Sequence, residues 1–250
     1  MMSNSPKITT GSTAVGSPSV AVDLHESLHR LDRLASLGLI AASVAHEIKN
    51  GLVAVNTFAE VLLEKSEDKE MAAMARHELK RIDALVTQML RFASPKPAAV
   101  APVQVHNVLD YSLRLLEHQM RGQRISLRRD YRAEPGVVRG DEAQLQQVFM
   151  NLMLNAVEAI NGKGELAVRT ELAVDDAGGK RLKIHISDTG CGIAPEHLPR
   201  VFEPFFTTKK HGTGLGLAIC QRVAQVHQGY IEVESRPGCG STFIITLAAD

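Results

Sequence analysis

Several polar groupings in this sequence have the residue types and spacing to do chemistry. The first is His46, followed by Glu47, Ile48, Lys49 and Asn50. Around it, Leu34, Ala41, Ile48, Val55 and Leu62 recur at heptad spacing, with Leu37, Val44, Gly51 and Phe58 as a second row. Such rows mark the apolar seam of a helix that packs on other helices. His46 lies on neither row. It is predicted on the opposite face, one turn after Ala42 and Ser43 and one turn before Asn50, as an exposed imidazole beside a carboxylate and an amide. The second grouping is Asn151 and Asn155, four apart and so on one face of a helix. An amide oxygen is a hard donor suited to Mg²⁺, which keeps most of its waters and takes few protein ligands. The third, Asp188-Thr189-Gly190-Cys191-Gly192, directly follows a strand. A carboxylate at the end of a buried strand can accept from the exocyclic amine of adenine, and the glycines let backbone approach a ligand. Beyond it, Phe202, Phe205 and Phe206 stand near Thr207, Thr208, Lys209 and Lys210, a composition that suits a loop folding over a ligand with ammonium groups near phosphate oxygens. Finally, Gly212-Thr213-Gly214-Leu215-Gly216 opens a helix, where backbone N–H groups and the positive helix end favour an anion.

Taken singly, each grouping also fits plain structure: a solvated histidine, polar residues on an amphipathic helix, a strand-end turn, a loop pinned by hydrophobic side chains. The Gly212–Gly216 run is not a dinucleotide fingerprint, because its third glycine comes one residue early and no strand leads into it. It is not a P-loop either, since no Gly-Lys-Ser/Thr follows.

The elements that must position these groups read off the chain in order. Residues 1–22 are Ser/Thr/Gly/Pro-rich and read as a disordered tail. Asp23 and Glu26 resemble a capping box, so one long helix is predicted from about Asp23 to Lys65. After the polar turn Ser66-Glu67-Asp68, a second helix carries Met71, Ala75, Leu79, Ile82, Leu85, Met89 and Phe92 on one face. Two amphipathic helices joined by a short turn make an antiparallel hairpin over 23–93, and a lone hairpin buries its seam poorly. A homodimeric four-helix bundle is the expected solution. Ser94-Pro95-Lys96-Pro97 and Pro102 form a linker over 94–102. From 103 to 250 the pattern gives helices over 106–121, 141–160 and 214–227. Strands are expected over 124–131, 165–174, 181–187, 230–235 and 242–248, with 190–213 as loop. That mixture predicts an α/β sandwich with hairpins.

Composition sets outer bounds. The 250 residues suffice for one or two domains with real cores, formal net charge is zero and aromatics are few, so nucleic acid is not an expected partner. Cys191, Cys220 and Cys239 lack metal-like spacing and read as reduced thiols. No apolar run is long enough to span a bilayer, the longest candidates carrying Glu60 and Glu64, and no secretory signal precedes them. A soluble, cytoplasmic protein is expected.

In this order, the motifs resemble those of the two-component sensor histidine kinases. His46-Glu47-Ile48-Lys49-Asn50 looks like that family's H-box, 151–155 its N-box, 188–192 its G1 box, 202–209 its F-box and 212–216 its G2 box. The likeness covers residues 34–250 and is strongest to the nitrogen-regulation branch, through FEPFFTTK and GTGLGL. It implies a dimerisation and histidine-phosphotransfer hairpin followed by an ATP-binding domain of the Bergerat type, with ATP and Mg²⁺ as cofactors and a response regulator receiver domain as partner. Carried onto matching positions, Asn155 would ligate Mg²⁺ and Asn151 would lie by the phosphates. Asp188 would read adenine with Gly190 and Gly192 around it, and Thr208, Lys209 and Gly212 to Gly216 would shape the lid. Thr242 resembles a threonine near adenine. Related ATPases of this fold carry a water-activating glutamate where Asn151 stands, and an amide cannot take that proton. The family usually has proline after the H-box asparagine; here Gly51 keeps the N–H but softens the helix by about 1 kcal/mol relative to Ala.

The chemistry this implies is in-line attack of the His46 imidazole on the γ-phosphate. Glu47 would accept the proton from the other ring nitrogen, and Asn50 would orient a water that dephosphorylates the partner. Two rival readings compete. His25-Glu26-Ser27-Leu28-His29 matches the zinc-protease helix H-E-x-x-H, which needs a third ligand and a cleft. A dimeric ATP-responsive scaffold or chaperone-like ATPase would use the same nucleotide boxes without phosphorylating itself.

Overall fold

The computed structural model describes Val55, Ala59 and residues 69–93, 98–176, 178–209 and 212–250. A division into two compact units falls between Pro97 and Ala98. Of the first unit, Val55 and Ala59 are helical, and helix α1 spans Lys69–Ala93 with Glu70 in its first turn, where a carboxylate complements the positive helix end. Ala72 and Val86 of α1 are buried, whereas Met71, placed above on the apolar face, is exposed together with Met74. The rest of the expected first helix, His46 included, lies outside the described residues.

The second unit is a two-layer α/β sandwich. In chain order it comprises β1 (Ala101–Gln104), α2 (Val105–Gly122), β2 (Ile125–Tyr131), β3 (Val137–Gly140), α3 (Glu142–Ala159), β4 (Gly164–Val174), β5 (Lys180–Asp188), α4 (Gly216–Val226), β6 (Tyr230–Arg236) and β7 (Gly240–Ala248), with a 3₁₀ turn at Leu198–Arg200. The main sheet has the order β2-β4-β5-β7-β6. Only β2 and β4 run parallel; the other neighbours are antiparallel.

Alternation decides which sheet face is covered. Leu182, Ile184 and Ile186 of β5 stand in register with Leu172, Thr170 and Val168 of β4 and with Leu247, Ile245 and Phe243 of β7. Except for half-exposed Leu172, all of these are buried, as are Leu145, Val148, Phe149, Leu152, Met153, Ala156 and Val157 of α3. Lys183, His185 and Ser187, the intervening residues of β5, lie half-buried on the other face. The β4–β5 turn is set by Asp175, whose Oδ1 accepts from Gly179 N at 2.7 Å and whose Oδ2 accepts from Arg181 Nε at 2.8 Å.

Two short strands were not expected. β1 and β3 pair antiparallel as a separate two-stranded ribbon, so residues 101 and 102, assigned to the linker above, belong to the folded unit. Four residues are too few to show alternation, and Pro102 is tolerated because a ribbon edge needs no donor there. Helix α4 also starts two residues later than the expected Gly214. Gly214 has φ +66°, which a helix excludes, and a side chain there would sit 2.3 Å from the Phe205 carbonyl carbon.

The start of α3 is tied down with unusual completeness. Asp141 caps it, its Oδ1 accepting from Gln144 N at 3.0 Å and its Oδ2 from Ala99 N at 2.9 Å. The Asp141 N–H in turn donates to His227 Nε2 at 2.9 Å. Since a backbone amide can only donate, the imidazole proton is on Nδ1, which donates to Val223 O at 2.8 Å. Gly140 must be glycine here, because a Cβ would meet His227 Cδ2 at 2.4 Å.

The Ala99 N–H, with the Gln144 and Ala143 amides, holds the Asp141 carboxyl below its ordinary range. The stability it contributes is therefore present above about pH 4 and lost as pH falls through the depressed value. Asp141→Ala is expected to destabilise the second unit by about 1 kcal/mol, the usual cost of a lost N-cap. Thermal melts should show the gap to wild type closing in acid; a gap independent of pH would contradict the ionised cap.

Candidate functional site

Helix α3 forms the wall on which the predicted groups meet. Asn151 and Asn155 sit on its half-exposed side. Asn151 Nδ2 donates to Gly216 O at 3.3 Å, which ties α3 to the first residue of α4. The Asn151 amide also reaches the thiol of Cys220, which burial pushes up to about 12, so that this cysteine is an inert core residue. Asn155 Oδ1 accepts from Lys209 Nζ at 2.9 Å, and the same ammonium donates to Glu158 Oε2 at 2.5 Å. The donor set suits Mg²⁺: a hard amide oxygen already turned toward a cation.

The C-terminal end of α3 meets the Asp188–Gly192 turn. Cys191 N donates to Ala159 O at 3.1 Å, and a Cβ on Gly190 would stand 2.5 Å from that oxygen. Asp188 ends β5 at 7% exposure, with Oδ1 accepting from Gly190 N at 2.7 Å. Burial raises its carboxyl above the ordinary value, against the pull of the Gly190 and Ser241 backbone N–H groups. Such a carboxylate has spare acceptor capacity for a ligand amine. Gly192, at φ +70°, lets the turn pack on the β6–β7 hairpin; a Cβ would be 2.0 Å from Arg236 O.

The register corrects one expectation. Ser241 stands opposite Asp188, and Thr242 stands opposite Ser187. Side chains alternate, so Thr242 lies on the sheet face away from Asp188, where its Oγ1 donates to Ser187 Oγ at 2.9 Å. Buried Ser241, one residue earlier, is the hydroxyl on the Asp188 face, within 2.9 Å of Ser235 Oγ. Ser235 Oγ also accepts from Ile193 N at 2.8 Å, joining the turn to the hairpin.

The loop from Phe202 is anchored at one end. Phe206 takes the edge of His197, ring centroids 5.5 Å apart, and the Arg200 guanidinium lies 4.5 Å from its centroid. Phe205 is 57% exposed at φ +66°, its N–H donating to Gly214 O at 3.0 Å. Thr208 and Lys209 are exposed, Lys209 N donates to Thr207 Oγ1 at 3.1 Å, and Gly212 N donates to Lys209 O at 3.2 Å. Leu215 N donates to Thr213 Oγ1 at 3.3 Å, and Leu215 is buried. The structure therefore gathers Asn151, Asn155, Lys209 and Gly216 at one part of α3, and Asp188, Gly190 and Gly192 at its end. His46, Glu47, Asn50 and the His25–His29 pair lie outside the described residues. Among the described residues no three His, Cys, Asp or Glu side chains cluster as metal ligands. Glu158 and Ser241 were missed; Glu158 was findable, being three residues after Asn155 on the same face.

Comparison with known proteins gives two family matches. Residues 36–97 match the His Kinase A (phospho-acceptor) domain, and residues 140–250 match the histidine kinase-, DNA gyrase B-, and HSP90-like ATPase family. The chain is 36% identical over 230 residues to the sensor histidine kinase ZraS of Klebsiella oxytoca, covering 90% of this chain and 48% of the relative. It is 31% identical to sporulation kinase C of Bacillus subtilis, covering 90% of this chain and 52% of that one. The chain thus spans about half the length of these relatives. Among solved structures, full-length ShkA in complex with AMPPNP superposes with a TM-score of 0.71 at 26% identity, over 84% of this chain and 46% of that one. The catalytic domain of the histidine kinase ThkA superposes with a TM-score of 0.53 at 29% identity, over 60% of this chain and 95% of that one.

The raised Asp188 carboxyl has a thermodynamic consequence. The folded state favours the protonated form, so its contribution is present below about pH 4 and is lost as pH rises through the raised value. Asp188→Asn stays neutral throughout. Its melting temperature is expected to gain on wild type between pH 4 and neutrality; a constant difference would show that ionising Asp188 costs the fold nothing.

Proposed function

Because the chain belongs to the two-component sensor histidine kinases, we propose that it transfers the γ-phosphoryl group of ATP to His46 and then to an aspartate of a response regulator. The observation that supports the nucleotide half is helix α3, which carries Asn155 on its half-exposed side and meets the turn of buried Asp188 at its C-terminal end. Asp188 accepts from the adenine amine, with Gly190, Gly192 and Ser241 holding the carboxylate in place. Asn151, Thr208, Lys209, Gly212, Thr213, Gly214, Leu215 and Gly216 line the phosphate side. Asn155 would hold Mg²⁺, which supplies charge neutralisation at the phosphates.

In the transfer, a ring nitrogen of His46 forms a bond to the γ-phosphorus as the bond to the β–γ bridging oxygen breaks, and ADP leaves. Glu47 takes the proton from the other ring nitrogen, which keeps the phosphorylated ring neutral. The receiving aspartate carboxylate later attacks the same phosphorus and frees His46. Asn50 orients water for the reverse signal, dephosphorylation of the regulator. Residues 23–93 pair with a second copy in a four-helix bundle. The closer likeness to the nitrogen-regulation branch rests on FEPFFTTK and GTGLGL. We place this part of the chain in the cytoplasm, with its ATP and response regulator; no helix among the described residues is long and apolar enough to cross a membrane.

The direct test is incubation with γ-³²P-ATP and Mg²⁺. Wild type should acquire alkali-stable, acid-labile label; His46→Gln should acquire none, and equal labelling of the two would end the proposal. Glu47→Ala should bind ATP normally and label slowly. Asp188→Asn should lose about 10-fold to 100-fold in nucleotide affinity, the range for a hydrogen bond to a charged group. Asn50→Ala should keep autophosphorylation and lose regulator phosphatase; unchanged phosphatase would remove Asn50 from that step.

A further inference from the structure

Glu158 shares the Lys209 ammonium with Asn155. Two oxygens one turn apart on α3, Asn155 Oδ1 and Glu158 Oε2, converge on a single ammonium, at 2.9 and 2.5 Å. That arrangement is a cation site, and the cation in it is the chain's own Lys209. The amide oxygen is the one assigned above to Mg²⁺. An ammonium and a dication on one oxygen stand only a few ångströms apart, and their repulsion is strong at a surface of reduced dielectric. The two arrangements are therefore mutually exclusive.

We propose that Glu158 is a positioning residue that latches Lys209 onto the metal-binding oxygen of Asn155. Entry of the metal–nucleotide and release of Lys209 toward the phosphates are then one coupled exchange. This rests on the nucleotide reading above. A neutral amide oxygen alone competes poorly with water for an ammonium; the carboxylate adds the charge that makes the latch. The Lys209 backbone is held independently of its ammonium, its N–H on Thr207 Oγ1 and its carbonyl accepting from Gly212 N, so the side chain can exchange partners without breaking these bonds. The ion pair is half-exposed, at 43% and 49% for the two side chains, so its effect on binding is modest.

The test is a double-mutant cycle on the full chain, titrating Mg²⁺ and a non-hydrolysable ATP analogue by calorimetry. Glu158→Gln should tighten binding by about threefold, the scale of an exposed ion pair. In a Lys209→Gln background the same substitution should change nothing. Equal tightening in both backgrounds would mean that the carboxylate simply repels phosphate, and would overturn the latch. Weaker binding by Glu158→Gln would overturn it too, by making Glu158 a helper of the metal. Wild type that binds no analogue would remove the nucleotide reading itself, and the latch with it, a result distinct from binding without coupling.

Discussion

The burial of one face of α3 against the sheet is the constraint on which the site depends. Phe149, Leu152, Met153, Ala156 and Val157 are fully covered, and at 100° per residue their placement leaves Asn151 and Asn155 at the helix edge. The helix is then fixed at both ends. Asp141 and His227 hold its start to α4, and Ala159 O holds its end to the Asp188–Gly192 turn. Each large side chain buried on this face contributes about 1.5–3 kcal/mol. The polar edge contributes far less, since an exposed ion pair adds at most about 1 kcal/mol. The wall therefore stays in place while the bonds made from it, Lys209 above all, can exchange.

The glycines around the Asp188 end follow from the same crowding. At Gly190, Gly192 and Gly240 a side chain would stand within 2.5 Å of backbone oxygens of Ala159, Arg236 and Asp188, respectively. Three chain segments meet backbone to backbone there, and that close approach helps to bury the carboxylate. Its partners are N–H groups of Gly190 and Ser241, which come with the turn and the hairpin rather than with any side chain.

The long elements were legible because periodicity is set by burial. The alternation over β4 and β5 and the apolar stripe of α3 are consequences of one covered face each, and both appear in the sequence as such. β1 and β3 were not legible, since four residues paired only to each other leave no such trace. At the site, the Asn151 and Asn155 pair was readable because four residues span one helical turn. The face of Thr242 was not readable, for the corresponding reason in a strand. A single residue reverses the face, and only the register, Ser241 with Asp188 and Thr242 with Ser187, tells which of two adjacent hydroxyls faces the carboxylate. The Lys209 contacts join loop to helix across 54 and 51 residues, a pairing that local spacing does not encode.

Asn151 shows how the frame and the chemistry constrain each other. Its amide nitrogen donates to the Gly216 carbonyl, the first residue of α4. A glutamate at this position, as in related ATPases, would turn carboxylate oxygens toward that carbonyl and lose the donor. The amide keeps α3 and α4 joined, and it also cannot accept a proton from water. A water molecule near the phosphates then meets no base on this helix position. On the proposed reading, the residue that joins the two helices would also withhold hydrolysis and leave the phosphoryl group for a nucleophile delivered from elsewhere in the chain.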